Sequence, residues 1–303
     1  MLEIKFGYTL TRSGDILEEA KAIEDLGFDS LWVAEHVVWR HPVQDALMLL
    51  AAAATVTKRV RLGTSILLLP LKHPLLVAKA VTTLDHLSNG RASLGIGIGG
   101  EYQPEFDAMQ IPKEERGARA NDAIQLMKRL WTEDNVTFES RFYPMEDITV
   151  DPKPVQKPHP PILVGGRRKA LPRVARYGDG WLPYLYTPEM YREDWVTIKD
   201  LAVEAGRDPA AIEPTVYAFI VIDKSYEAAA AVAAARLQNT YAQSFDKLVY
   251  RYPIIGTPEQ CAERVNEYVE AGCRHVIFTP AAPPDQAKDF PKTIAEEIFP
   301  RFR

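Results

Sequence analysis

Long apolar runs are missing from this 303-residue chain. The longest, ALMLLAAAATV at 46–56 and ILLLPL at 66–71, fall short of the roughly 20 residues a membrane-spanning helix needs, so no membrane partner is expected. Cysteine is scarce as well. Cys261 and Cys273 are the only two, with no C-x-x-C spacing, which argues against a disulfide framework and points to reduced core thiols in a cytoplasmic protein. A surplus of positive charge is also lacking, with 36 Lys and Arg against 41 Asp and Glu. That mild acidity gives no reason to expect nucleic acid as a partner. The opening MLEIKFGYTL carries no basic-then-apolar leader. No metal-ligand cluster, nucleophile elbow or triad spacing is found.

What is present is alternation. Strand-like runs at 4–10, 30–36, 60–69, 91–99, 161–166, 180–185, 213–222 and 273–280 are separated or flanked by helical patterns. After the first run, Ile16, Leu17, Ala20, Ile23 and Leu26 fall at helical spacing, with Ser13 as candidate cap and Gly27 as terminator. Most runs lie about one βαβ unit, ~30 residues, apart. Eight such units predict a (β/α)8 TIM barrel forming one domain over residues 1–303, with a doubly wound sheet as the competitor. Two spacings are too long for a simple unit, which places insertions after strands 4 and 7, where they would shape a binding site.

In RASLGIGIGGEYQPEF, at 91–106, Gly95, Gly97 and Gly100 fit G-x-G-x-x-G. A dinucleotide turn needs those glycines between a first strand and the helix that follows it. Here they sit in the fourth unit, alternate with Ile96 and Ile98, and open no helix at once. The expectation is a barrel strand stripped of side chains on one face so that a flat ring can approach the backbone. Glycines fitting a tight barrel interior are the plainer alternative.

The segments GFDSLWVAEHV, RVRLGTSILLLPLKHPLLVAKAVTTLDHLSNGRASLGIGIGG, ERGARANDAIQLMKRLWTED, PKPVQKPHPPILVGG and RYGDGW together resemble the bacterial luciferase-like monooxygenase superfamily. They look most like its branch of coenzyme F420-dependent oxidoreductases. The resemblance runs from residue 1 to about 206 and returns, weaker, around 256–278. It implies a (β/α)8 barrel that holds coenzyme F420, or alternatively FMN, at the C-terminal strand ends. It also implies that His36, of the pair Glu35-His36, lies beside the ring as hydrogen-bond partner or general acid/base. Thr64 and Ser65 would approach the ring, with a non-proline cis peptide after Ser65.

The remaining candidates follow from position. Gly97 and Gly99 would bare the fourth strand for the cofactor. Gly165, Gly166, Arg167, Arg168 and Lys169, following the fifth strand, form the best anion site, where a helix N-terminus would add to the positive charge. Such charge suits the phosphodiester and glutamates of a deazaflavin tail. Trp181 is a candidate near the cofactor or in the core. Glu101, Tyr102 and Tyr184 are candidates for substrate contact, and Tyr241, Phe245, Tyr250 and Tyr252 for an aromatic pocket. Gly100 departs from the family pattern, in which many members carry Trp or an acid there.

These residues point to hydride transfer between coenzyme F420 and a small organic substrate, with the redox chemistry residing in the cofactor. The rivals are an FMN-dependent monooxygenase, a non-catalytic flavin-binding barrel and, last, a Schiff-base lyase, for which no strand-end lysine is seen. The helix predicted at 44–57 is apolar nearly all round, more than one core face requires, and predicts a homodimer interface.

Overall fold

The computed structural model describes residues 4–10, 15–241 and 243–303. Eight parallel strands carry the architecture: β1 (Lys5–Thr9), β2 (Ser30–Val33), β3 (Arg61–Thr64), β4 (Ala92–Gly97), β5 (Ile162–Gly165), β6 (Gly180–Leu182), β7 (Glu213–Ile222) and β8 (His275–Pro280). They pair in sequence order, and the ring closes where β7 meets β6 on one side and β8 on the other, while β8 pairs with β1. Two short pieces are appended to this ring. Leu67–Leu68 continues the third strand's path beside β4, and Ile254–Gly256 lies along the end of β7.

Helices α1 (Ile16–Asp25), α2 (Ala46–Val56) and α3 (Pro74–Ser88) alternate with the first strands. The α1 cap is Asp15, which accepts from the amides of Leu17 and Glu18, and the chain leaves the helix through Gly27 at φ +88°. Ser13 lies outside the described residues. Both predicted insertions are present. Between β4 and β5 come α4 (Gln103–Ala108), α5 (Arg116–Thr132) and a small hairpin, Val136–Phe138 with Met145–Ile148. Next come α6 (Leu171–Tyr177), between β5 and β6, and α7 (Pro188–Glu204), between β6 and β7. Between β7 and β8 lie α8 (Tyr226–Tyr241) and α9 (Pro258–Glu270), the latter opened by a full capping box from Thr257 and Gln260.

The barrel interior is filled. Trp32 is fully buried and packs with Leu163, Leu182 and Ile277, so the lumen is plugged below the strand ends. Its bulk explains Gly63 on the neighbouring strand, where a Cβ would fall 2.3 Å from the indole. At the opposite end, the first residues of four strands form a polar chain. Trp32 Nε1 donates to Ser30 Oγ at 2.7 Å, and Ser30 contacts His275 Nε2 at 2.7 Å. His275 Nδ1 meets Glu213 at 3.1 Å, and Arg61 donates to the other carboxylate oxygen at 2.6 Å. The Glu213 carboxylate can only accept, so Nδ1–H donates to it, while the Ser30 hydroxyl bridges the indole N–H and Nε2. The order Ser–His–Glu looks like a nucleophilic triad, but Ser30 and His275 are sealed in the core.

Candidate active site

A cavity of about 1160 Å³ opens at the C-terminal strand ends, the end where barrels of this kind carry their sites. It is large enough for a tricyclic ring together with a small substrate. Its wall brings together most of the residues singled out from the sequence: Glu35, His36, Ser65, Gly97, Gly99, Glu101, Gly165, Gly166, Arg167, Arg168 and Tyr184. Trp39, Ile66, Glu105, Phe219 and Tyr241 complete the inner surface.

β2 ends at Val33, so Glu35 and His36 sit in the following loop and strand alternation does not decide where they point. Hydrogen bonding does. The Glu35 carboxylate is buried against Lys72 Nζ at 2.8 Å, and burial pushes its carboxyl up against the pull of that ammonium. Lys72 holds one of its oxygens, and the other, Oε2, finds no partner among the described residues. His36 turns the other way. Its Nδ1 lies 3.1 Å from the Glu105 carboxylate, and its ring stacks on Trp39 at 3.8 Å between centroids.

The glycines of β4 have a different neighbour from the one the sequence suggested. A Cβ on Gly95 would lie 2.0 Å from the Thr64 carbonyl oxygen, and one on Gly97 would lie 2.2 Å from Ile66 Cδ1. Both clear space for the chain after β3, where the Ser65-Ile66 peptide is cis. What stands over Gly97 is therefore the Ile66 side chain, which itself faces the cavity. A Cβ on Gly99 would come no nearer than 3.1 Å to Leu68 and 3.5 Å to Phe106. Gly100, at φ +112°, adopts a backbone conformation that L side chains rarely take.

Three expected contacts move to supporting positions. Thr64 is fully buried, and its hydroxyl donates to the Gly95 carbonyl at 2.7 Å instead of facing the cavity. Trp181 belongs to the core, stacked on Tyr191, with its indole N–H reaching the Gly166 carbonyl at 3.4 Å. It supports the anion loop from behind. Tyr102 packs edge-on against Trp39 outside the cavity wall, under the Arg40 guanidinium. Of the aromatic group, Tyr241 lines the cavity while Phe245 is core and Tyr250 is exposed.

Two polar features suit a bound ring and tail. Ser65 Oγ is buried in the cavity wall and finds no partner among the described residues. That orphaned hydroxyl can donate to or accept from a heterocycle at no further desolvation cost. In the loop after β5, neither Arg167 nor Lys169 has a carboxylate partner among the described residues, whereas Arg168 is shared with Glu193 and Asp194. Arg167 lies over Tyr186 and Tyr252. Behind them come a short 3-10 turn and the seven residues of α6, so the cations carry the anion site and a helix terminus adds little. Across the cavity Tyr184 donates its hydroxyl to Glu101. Burial and that carboxylate together push the phenol up, so it stays a donor.

Residues 6–275 match the model of the family described as luciferase-like monooxygenase. The chain belongs to this family. Among curated members, it is 28% identical to an F420-dependent glucose-6-phosphate dehydrogenase of Amycolatopsis mediterranei, covering 100% of this chain and 99% of the relative. It is 31% identical to the enzyme of the same name from Beutenbergia cavernae, covering 95% and 93%. Among solved structures, an F420-dependent secondary alcohol dehydrogenase in complex with an F420-acetone adduct superposes with a TM-score of 0.87 at 22% identity, over all of both chains. The likeness to that structure is one of fold.

Sequence reasoning missed Glu105, Trp39 and Ile66. Glu105 stands four residues beyond Glu101, a spacing without meaning until α4 is seen to lean its first turn over the loop after β2.

Proposed function

We propose that the protein is an F420-dependent oxidoreductase that interconverts a hydroxyl and a carbonyl on a small organic substrate. The observation that carries the reading is the convergence of His36, the orphaned Ser65 hydroxyl and the unpaired cations Arg167 and Lys169 on one cavity. The curated relatives, matched over nearly their whole length, support it. Bound there, the deazaflavin supplies a two-electron acceptor or donor of hydride at its C5 carbon. Arg167 and Lys169 would hold the phosphodiester and acidic tail, and the Ser65 hydroxyl and Ile66 side chain would meet the ring. Trp39 and Ile66 exclude water from the inner cavity. His36 holds or moves the proton at the substrate oxygen, because its Nδ1 is occupied by Glu105 and its other nitrogen is left for the cavity.

Titration with coenzyme F420 and with FMN, followed by fluorescence, tests this reading. Saturable F420 binding with at least tenfold preference over FMN is the expected result. Tight FMN binding without F420 binding, with oxygen uptake on adding reduced FMN, would replace it with a monooxygenase.

The same reading takes the chain to be a homodimer. α2 and α3 pack side by side, and their outer faces present Met48 at 71% and Leu76 at 69% exposure, flanked by half-buried Leu47, Leu49 and Leu75. An apolar strip of this kind suits a second copy.

A further inference from the structure

We propose that Glu105 is a positioning residue that sets the tautomer of His36, presenting an unprotonated Nε2 to the substrate. The inference rests on the reading of His36 as the group at the substrate oxygen. Glu105 lies in the first turn of α4, 69 positions along the chain from His36, and is only 1% exposed. A carboxylate this buried is costly unless its lone pairs are used, and here they are. One oxygen accepts from the Val37 amide at 2.8 Å and the Val38 amide at 3.2 Å. Both oxygens lie within 3.2 Å of His36 Nδ1.

A carboxylate can only accept, so the hydrogen of a neutral His36 is drawn to Nδ1 and its lone pair is left on Nε2. The ring cannot easily flip to exchange the two nitrogens. Trp39 is stacked on its face at an interplanar angle of 13°, and the two amides that grip Glu105 immediately follow His36 in the chain. Glu105 therefore fixes the loop and the imidazole with one side chain. A purely structural anchor would need the amide bonds alone, and the two contacts to Nδ1 are the additional observation.

Glu105→Gln separates these roles. The amide oxygen still accepts from Val37 and Val38, so the loop stays anchored. The amide nitrogen now donates toward Nδ1, which must become the acceptor, and the histidine proton is driven to Nε2. Nitrogen-15 NMR of the imidazoles, on protein without cofactor, reads this directly, with His36→Gln assigning the signals. The expected wild-type pattern is a protonated Nδ1 and an unprotonated Nε2, inverted in Glu105→Gln. A second readout, followed by peptide mass, is carbethoxylation of His36, in which an unprotonated imidazole nitrogen attacks a carbonyl of diethyl pyrocarbonate and expels ethyl carbonate, which breaks down to carbon dioxide and ethanol. It should slow at least tenfold in Glu105→Gln. With glucose 6-phosphate and F420 as the assay pair, any turnover should fall about 10²- to 10⁴-fold, by analogy with acid-to-amide changes behind a catalytic histidine, while F420 affinity stays within twofold.

A wild-type spectrum showing hydrogen on Nε2 would overturn the proposal without any variant. So would an unchanged nitrogen pattern and acylation rate in a folded Glu105→Gln protein. Failure to bind F420 would instead count against the proposed function, leaving the NMR result to decide the role of Glu105.

Discussion

Gly95 and Gly97 are two positions apart on one strand, yet an added methyl group would strike different things. At Gly95 it meets the Thr64 carbonyl oxygen at 2.0 Å, a backbone atom that cannot swing aside as a side chain can. At Gly97 it meets the far end of Ile66, which can rotate. Gly95→Ala is therefore expected to cost about 3 kcal/mol or more, at the upper end of overpacking, and Gly97→Ala about 1 kcal/mol. Urea unfolding of the two variants checks the order, and equal midpoints would contradict it. Gly97→Ala should nevertheless weaken F420 binding more than its stability loss suggests, since the displaced Ile66 faces the cavity. In the loop after β5, removing both cations with Arg167→Ala and Lys169→Ala should weaken F420 about 10- to 100-fold, since a hydrogen bond to a charged group is worth about 1.5–3 kcal/mol. The deazaflavin chromophore without its tail should bind both proteins alike. A loss shared by the tailless form would place the cations elsewhere in the reaction.

At the scale of elements, the strands and most helices could be read from the chain because their signals are local. The run at 213–222 alternates and is β7; the apolar periodicity after Asp15 is α1; Asn89, at φ +56°, ends α3. The two long insertions announced themselves by length. What could not be read is where loops lean. His36 was visible as a strand-end histidine, but its partner comes from an insertion helix, and nothing in the spacing from 36 to 105 encodes that contact. The family resemblance implies Thr64 at the ring, and position alone leaves Trp181 open between cofactor and core; tertiary packing turns both inward. The α2 prediction belongs at this scale. Its first turn exposes Met48, beside Leu76 on α3. Met48→Glu combined with Leu76→Glu should convert the expected dimer to monomer in sedimentation at micromolar concentration, with the barrel still folded by circular dichroism. A wild-type protein already monomeric there would refute the dimer.

For the molecule as a whole, stability against acid should depend on the sealed floor of the barrel. Burial alone would raise the Glu213 carboxyl, but the hydrogen bond and charge of His275, together with those of Arg61, outweigh it and hold the group well below the usual carboxylate range. A carboxyl with a lowered folded pKa adds stability that is present above its unfolded value of about 4.3 and lost as the pH falls below it. Glu213→Gln should therefore lower the melting temperature at pH 7. The gap to wild type should narrow steadily as the pH is taken from 5 towards 3. A gap that stays constant over that range would mean the glutamate acts by packing and not by charge.

The polar chain from Trp32 to Arg61 also works as a gauge of alignment. It draws on the opening residues of β2, β3, β7 and β8, and a one-residue slip of any strand displaces its member by about 3.3 Å and turns it to the other face. Only one stagger of the ring satisfies all of its bonds, so closure is checked at the end opposite the cavity. The loops at the other end are thereby released from that duty. They can lengthen, shorten or be exchanged with those of another family member, and the strands beneath will still find the same alignment.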